Sequence, residues 1–332
     1  VTDPDHVLQV SVVVPVYRGR DTLPALIAEL TSLTTDQISP GGRPYRVSEV
    51  LLVWDRGPDR SDDTIRQLSR DNEFVRPIWL SRNFGQHAAT LAGMTSSSGD
   101  WIVTMDEDGQ QDPAFIGSMI DVAYDSRAQL VYAAPTNRAP HGFLRNAASR
   151  TAKWLFLRVL ANQDFETFNS YRLIAGEVGR SVAAYTGQGV YLDVALSWVV
   201  STVATAPVVS RDEGRAATNY NTRKLAAHFG RLVLSSGTRP LLFVSLMGFF
   251  FVAVGAVATI WVISQRFIGD VPVDGWASTF IALLVVGGAI LLALGIIAQY
   301  VGASANMSLG KPLYVVVQDP ALTFPDDPAA RA

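Results

Sequence analysis

Residues 101–110 read Trp-Ile-Val-Thr-Met-Asp-Glu-Asp-Gly-Gln, an apolar run that ends abruptly in carboxylates. The apolar half predicts a buried strand, Trp101–Met105, and the acidic half a turn leaving it. Working outward, similar runs stand at Leu8–Val16, Glu49–Trp54, Val75–Leu80 and Leu130–Ala134. Between them lie helical patterns at Thr22–Leu33, Ser61–Asn72, Gln86–Ser96 and Pro113–Tyr124. Strands alternating with helices of this length predict an α/β domain with a mostly parallel sheet, whose ligands bind at the strands' C-terminal ends. The polar residues of interest all fall just after those strands.

The remainder of the chain has a different character. Hydrophobic residues make up 48% and charged residues 17% of the 332 positions, against a usual charged share of about 25% in soluble chains. Leu241–Ile263 and Trp276–Tyr300 carry no charged residue. At about 1.5 Å per residue, each is long enough for a hydrocarbon core of about 30 Å. Basic residues before the first run (Arg223, Lys224, Arg231, Arg239) and Lys311 after the second outnumber the single Arg266 of the linker. That asymmetry places the N-terminal domain and the tail in the cytoplasm. The expected organisation is a catalytic domain over 1–222 and a juxtamembrane amphipathic segment over 223–240. A transmembrane hairpin follows, with helices at 241–264 and 276–300 around an extracytoplasmic linker at 265–275, and a cytoplasmic tail at 301–332. The localisation expected is the cytoplasmic membrane, multi-pass. Val1–Gln9 is polar, and no signal peptide is read there. A net charge of −3 gives no reason to expect nucleic acid as a partner, and the absence of cysteine excludes disulfides and Cys-ligated metals.

Chemistry concentrates on the turns. Asp106 and Asp108, two residues apart, can converge on one hard divalent cation, and Gln110 adds an amide oxygen without charge. Mg²⁺ and Mn²⁺ fit this set equally. Such an ion would stabilise a departing nucleoside diphosphate. Alone, the motif reads as well as an acidic solvated turn. It has company, however: Pro15 and Tyr17 end the first strand, Asp55 the second, and Arg82-Asn83-Phe84-Gly85 follows the third. Asp55 is suited to accept a hydrogen bond from a nucleobase imide, Pro15 and Tyr17 to offer backbone and ring contacts, and Arg82 to meet a phosphate. Each has a structural reading by itself; the ordered set on consecutive turns points to a nucleotide site.

As an ordered set, VPVY, the acidic second-strand end, RNFG, and DxD followed by Gln and Asp-Pro resemble glycosyltransferase family 2 with its GT-A (Rossmann-like) fold. Within it the chain is most similar to polyprenyl-phosphate glycosyltransferases, including the two spans and the closing Lys311-Pro312-Leu313-Tyr314. The resemblance implies Asp106, Asp108 and Gln110 as metal and diphosphate residues, with Pro15, Tyr17, Asp55, Arg82 and Asn83 around the nucleotide. It further implies Arg138 near the phosphates, Arg145 and Ser149 at the acceptor phosphate, and Arg211 as a late phosphate-binding arginine. Arg145 and Ser149 at i and i+4 share a helix face. The sequence departs from the family pattern in places. Arg18-Gly19 stands where VPVYNE continues, so one acidic nucleoside contact is missing. Asp55-Arg56 replaces an Asp pair, and Ser170 replaces an acidic residue before the Tyr171-Arg172-Leu173 strand.

The resemblance implies an enzyme that moves a sugar from a nucleotide-sugar, UDP-linked, to a polyprenyl phosphate such as undecaprenyl phosphate, with inversion. Its partners would be that donor, that acceptor and the lipid bilayer, and it would be a homo-oligomer. Phe143–Leu160 mixes bases with aromatics as interfacial helices do, although a surface helix packed on its own sheet has the same pattern. Two other readings stay open: transfer to a hydroxyl acceptor, and an inactive nucleotide-sugar-binding scaffold. Asp193 lies near where hydroxyl-acceptor relatives carry a base.

Overall fold

The computed structural model describes residues 6–137, 168–187, 190–211, 275–309 and 312–323, with isolated helical positions between 248 and 260. The chain divides into two compact units, one of residues 1–150, 163–219 and 312–332, the other of 151–162 and 220–311.

The first unit is built on β1 (Leu8–Val16), whose apolar residues alternate between two cores. Val10, Val12, Val14 and Val16 enter one and Val13 the other. A strand buried on both faces is apolar along most of its length, as in parallel sheets, and the buried Ser11 of β1 donates its hydroxyl to Glu49. β3 (Pro44–Trp54) pairs parallel to β1 and to β4 (Val75–Leu80), and β5 (Trp101–Thr104) pairs parallel to the other side of β1. The crossovers are α1 (Leu23–Thr31), α2 (Ser61–Asp71) and α3 (Gln86–Ser96). A short antiparallel strand, β2 (Gln37–Ile38), lines the start of β3.

Beyond β5 the sheet ceases to be parallel. A 3₁₀ turn (Pro113–Phe115) opens α4 (Ile116–Asp125), which leads to β6 (Leu130–Pro135). β7 (Arg172–Ala175) runs antiparallel between β5 and β6, and β8 (Val203–Val208) lies parallel to β6 at the edge. Between β7 and β8 come α5 (Gly176–Tyr185) and α6 (Leu192–Val199). The full order is β8-β6-β7-β5-β1-β3-β4, with β9 (Val316–Val317) outside β4.

The tail supplies the last strand. β9 (Val316–Val317) pairs antiparallel with β4, and the Ser81 amide donates to the Val315 carbonyl at 2.9 Å. Asp319 caps the short α8 (Pro320–Thr323) and takes a two-pronged ion pair from Arg66 of α2, with Nε and Nη2 each 2.9 Å from a carboxylate oxygen. The Tyr314 hydroxyl meets that of Thr95 on α3 at 2.9 Å. The tail is thereby fastened to the unit it left at residue 219.

In the second unit, α7 (Trp276–Ser308) has 33 residues and no charged side chain. It extends eight residues past the expected second span, and Leu283, Ile290, Leu294 and Val301 on it are exposed. Of the expected first span only Gly248, Phe250, Ala253, Val257 and Ile260 are described, all helical. Many side chains of both spans lie outside the described set, and among the described residues no helix is long and apolar enough to cross a membrane.

Arg66 also bonds Asp62 and Asp63, so Arg66→Ala, although Asp63 keeps Arg60, leaves Asp62 and Asp319 without their cation. It is expected to cost about 2 kcal/mol, the scale of a charged hydrogen-bond pair, and to open the tail to proteolysis. An unchanged unfolding temperature and cleavage pattern for the full chain would refute the fastening.

Candidate active site

The parallel strands end nearly level. Val16 pairs with Trp54, Trp54 with Trp79, and Val13 with Thr104. The turns after β1, β3, β4 and β5 therefore sit side by side at one edge of the sheet, bringing together Tyr17, Asp55, the Arg82–Gly85 loop and the Asp106–Gln110 turn.

Asp106, half-buried, accepts the most side-chain hydrogen bonds of these groups. One carboxylate oxygen accepts from the Gln86 amide at 2.6 Å; the other accepts from the Ser170 hydroxyl at 2.5 Å and the Gln111 amide at 3.0 Å. Its own N–H donates to Gln111 at 2.8 Å. Burial pushes the Asp106 carboxyl above the ordinary carboxylate range, and the Ser170 hydrogen bond opposes that shift. A cavity of about 120 Å³ opens beside it, lined by Pro15, His87, Thr104, Arg172, Tyr191 and Asp193 among others. Asp108, by contrast, is exposed, its side chain accepting from the Gln110 backbone N–H at 3.1 Å. Among the described residues no group of three or more His, Cys, Asp or Glu is arranged to hold a metal ion. Two carboxylates with an amide nevertheless suit a hard cation that draws its other ligands from a bound diphosphate.

Asp55 is buried, and its two oxygens accept the amides of Phe84 and Gly85 at 2.7 and 2.8 Å. It holds a loop in which Phe84 packs against the core. Arg82 and Asn83 are exposed, with the Arg82 guanidinium stacked 4.0 Å from the Phe84 ring centre. Arg211, after β8, donates its backbone N–H to the Gln110 carbonyl, which places it against the Asp106–Gln110 turn. Its guanidinium is shared between Glu29 and Asp112, which hold it firmly protonated. Arg138, Arg145 and Ser149 lie outside the described residues, as does the Phe143–Leu160 segment.

Several site groups were not singled out as such by the sequence reading. Gln86 and Gln111 bind Asp106, and Ser170 reaches the same carboxylate from the start of β7. Glu107, between the two aspartates, turns back to accept the amides of Tyr17 and Arg18 at 3.0 and 2.8 Å. Only the position of Glu107 inside the acidic triplet hinted at a role. Asp193, which the sequence reading did single out as lying near the position of a base, stands at the start of α6, accepts from Tyr132 at 2.8 Å and pairs closely with Arg172. All three are buried, and burial together with the Asp193 charge drives the Tyr132 phenol upward. Removing one partner of such a pair strands a buried charge. Asp193→Asn is thus expected to cost about 3 kcal/mol, read as a fall in the unfolding temperature of the full chain; an unchanged temperature would deny the pair a structural role.

Residues 11–185 match the sequence profile described as Glycosyl transferase family 2. The chain is 24% identical over 315 residues to a bactoprenol glucosyl transferase of Shigella phage SfV, covering 93% of this chain and 98% of that one. It is 26% identical over 321 residues to the undecaprenyl-phosphate 4-deoxy-4-formamido-L-arabinose transferase of Edwardsiella ictaluri, covering 96% of each. Among solved structures, glucosyl-3-phosphoglycerate synthase of Mycobacterium tuberculosis, crystallised with Mn²⁺, UDP-glucose and phosphoglyceric acid, is 16% identical. It matches with a TM-score of 0.47 over 70% of this chain and 79% of that one. The expected GT-A arrangement, a mostly parallel α/β sheet with its site on the strand-end turns, is the one present. With more than half of its residues inside the family profile, the chain is a glycosyltransferase and belongs to glycosyl transferase family 2.

Proposed function

We propose that the protein transfers a sugar from a UDP-linked donor to a polyprenyl phosphate at the cytoplasmic face of a membrane, inverting the anomeric centre. The observation that carries this reading is the reach of the likeness. The relatives named for bactoprenol and undecaprenyl phosphate align over 93–96% of the chain. A second observation supports a membrane hairpin. Residues 220–311 leave the first unit and the tail returns to it, so any crossings between them must be even in number.

The acceptor sets the chemistry. A phosphate monoester with its second pKa near 6 is largely ionised at neutral pH, so its oxygen can attack the anomeric carbon without a protein base. The new bond forms from acceptor oxygen to anomeric carbon as the carbon–oxygen bond to the diphosphate breaks. In-line displacement inverts the configuration, and the electron pair leaves on the nucleoside diphosphate. Asp106 and Asp108, with Gln110, would hold Mg²⁺ or Mn²⁺, which would supply positive charge to that leaving group. Arg145 and Ser149 are assigned to the acceptor phosphate and Arg138 to the donor phosphates. Arg211 sits beside the same turn, and reaching a phosphate would require it to leave Glu29 or Asp112. The capture of Asp193 by Arg172 and Tyr132 supports a mechanism without an obligate base.

A second reading, transfer to a hydroxyl, draws on one observation: Asp193 and Asp106 line the same cavity. Detergent-solubilised protein, undecaprenyl phosphate, Mg²⁺ or Mn²⁺ and a panel of nucleotide-sugars, read by mass spectrometry, separates the two. One donor should give a lipid-linked sugar phosphate, and Asp108→Ala or Arg145→Ala should reduce it about 100-fold or more. Product on an alcohol acceptor, and none on the polyprenyl phosphate, would sink the proposal. Asp193→Asn, assayed where it is folded, should keep most of its turnover; a large loss with donor binding intact would instead make Asp193 the base.

A further inference from the structure

The β1–α1 turn, residues 17–20, is held from two sides, by the acidic turn after β5 and by the β3–α2 turn. Its Tyr17 and Arg18 amides donate to the two oxygens of Glu107, and its Arg20 amide donates to Asp59 at 3.1 Å. The β3–α2 turn that carries Asp59 also presses so closely that a Cβ on Gly57 would stand 1.6 Å from the Tyr17 carbonyl oxygen. A Cβ added at Gly19 would lie 2.7 Å from Glu107 Oε2 and 2.8 Å from Leu23. The Glu107 carboxylate thus occupies the space that a side chain at residue 19 would enter, and does so from the middle of the Asp106–Asp108 pair.

From this geometry we infer that Glu107 is a positioning residue for the donor nucleotide. Its carboxylate, reaching across from the diphosphate turn, takes the place of an acidic side chain on the nucleoside turn and locks the two turns in register. The inference rests on the nucleotide-sugar reading above. Tyr17 is the group it positions: its backbone is clamped while its ring stays 41% exposed beside the strand ends. A clamp through two amides fixes where that ring stands relative to Asp108, so nucleoside and diphosphate are gripped as one rigid object. Preorganisation of this kind raises affinity by removing an ordering cost at binding. The same clamp accounts for Gly19, since a larger residue there must displace Glu107 or Leu23.

The test uses full-length protein in detergent with Mg²⁺ and the probes UDP, GDP and dTDP, binding being measured by calorimetry. Hydrogen exchange at the Tyr17 and Arg18 amides is followed in the free protein. Glu107→Ala is expected to speed exchange at those two amides and to weaken the bound diphosphate by about tenfold or more, the scale of one charge-assisted hydrogen bond. Glu107→Gln, which keeps one acceptor oxygen, should fall between. Gly19→Ala should weaken binding in the wild type and add little to Glu107→Ala, because both disturb the same contact. In the transfer assay the loss should appear in KM for the donor more than in kcat. Unaltered diphosphate affinity in Glu107→Ala, whatever happens to its melting temperature, would overturn this inference alone. A wild type that binds none of the three diphosphates would remove the nucleotide-sugar reading and this inference together.

Discussion

The central strand β1 hydrogen-bonds to β3 along one side and to β5 along the other, all three running the same way. Parallel neighbours cannot be joined by a tight turn; each must be reached by a crossover over a face of the sheet. Both faces are therefore covered, both need apolar side chains, and every turn that leaves a strand emerges at one edge. The gap between β1 and β5 is where the connection order reverses, and in open α/β sheets that crevice receives ligands. Asp106 stands there because Met105 continues the pairing, its amide donating to the Val13 carbonyl at 3.1 Å, and the chain turns immediately afterwards. Sequence order, sheet order and the position of the acidic turn are consequences of a single pairing pattern.

What the turns do with that placement follows from the demands of buried polar groups. Four carboxylates near the edge spend their oxygens on other parts of the protein. Asp55 binds the Phe84 and Gly85 amides, Glu107 those of Tyr17 and Arg18, Asp59 that of Arg20, and Asp106 the side chains of Gln86, Gln111 and Ser170. Burial resists the charge on Asp55, Asp106 and Glu107 and pushes all three carboxyls up. The donors that meet them offset the resistance, since a charge-assisted hydrogen bond is stronger than a neutral one. The outcome is a division of labour. Enclosed acids fix the loops, and the groups those loops leave exposed are Tyr17, Arg82, Asn83 and Asp108.

Much of this was legible in the chain. β1, β4 and α3 carry the bounds read from the sequence, because each is largely buried and its apolar residues outweigh the few polar ones, such as Ser11 and Arg76, which leaves a signal. β7 and β8 left none from pattern alone. Arg172-Leu-Ile-Ala is four residues long and begins with a buried arginine that only its pairing with Asp193 explains. Val203–Val208 lies at the sheet edge with half-exposed residues and a proline. β9 is two residues, placed by contacts such as Arg66–Asp319 that span 253 positions. At the site, the turns announced themselves through residue type, whereas their internal bonding did not. A carboxylate that accepts backbone amides 90 residues away has no composition signature, and Asp55 read from sequence alone is indistinguishable from one that faces a base.

The returning tail ties these levels together. β4 runs directly into Ser81, whose amide bonds to Val315, and then into the loop that Asp55 grips from the other side. The Arg82–Gly85 loop is therefore bounded by one anchor within the Rossmann-like core and another that arrives only after residues 220–311 have been traversed. Completing the edge of the sheet at β4 requires the uncharged segments to have been made and the chain to have come back to the same unit. An exposed edge strand is a hazard for mispairing, and here it is covered by the protein's own last strand. The arrangement makes the C-terminal segments part of the architecture of the catalytic unit rather than an appendage to it: without the return, β4 loses its outer neighbour and Arg66 loses Asp319.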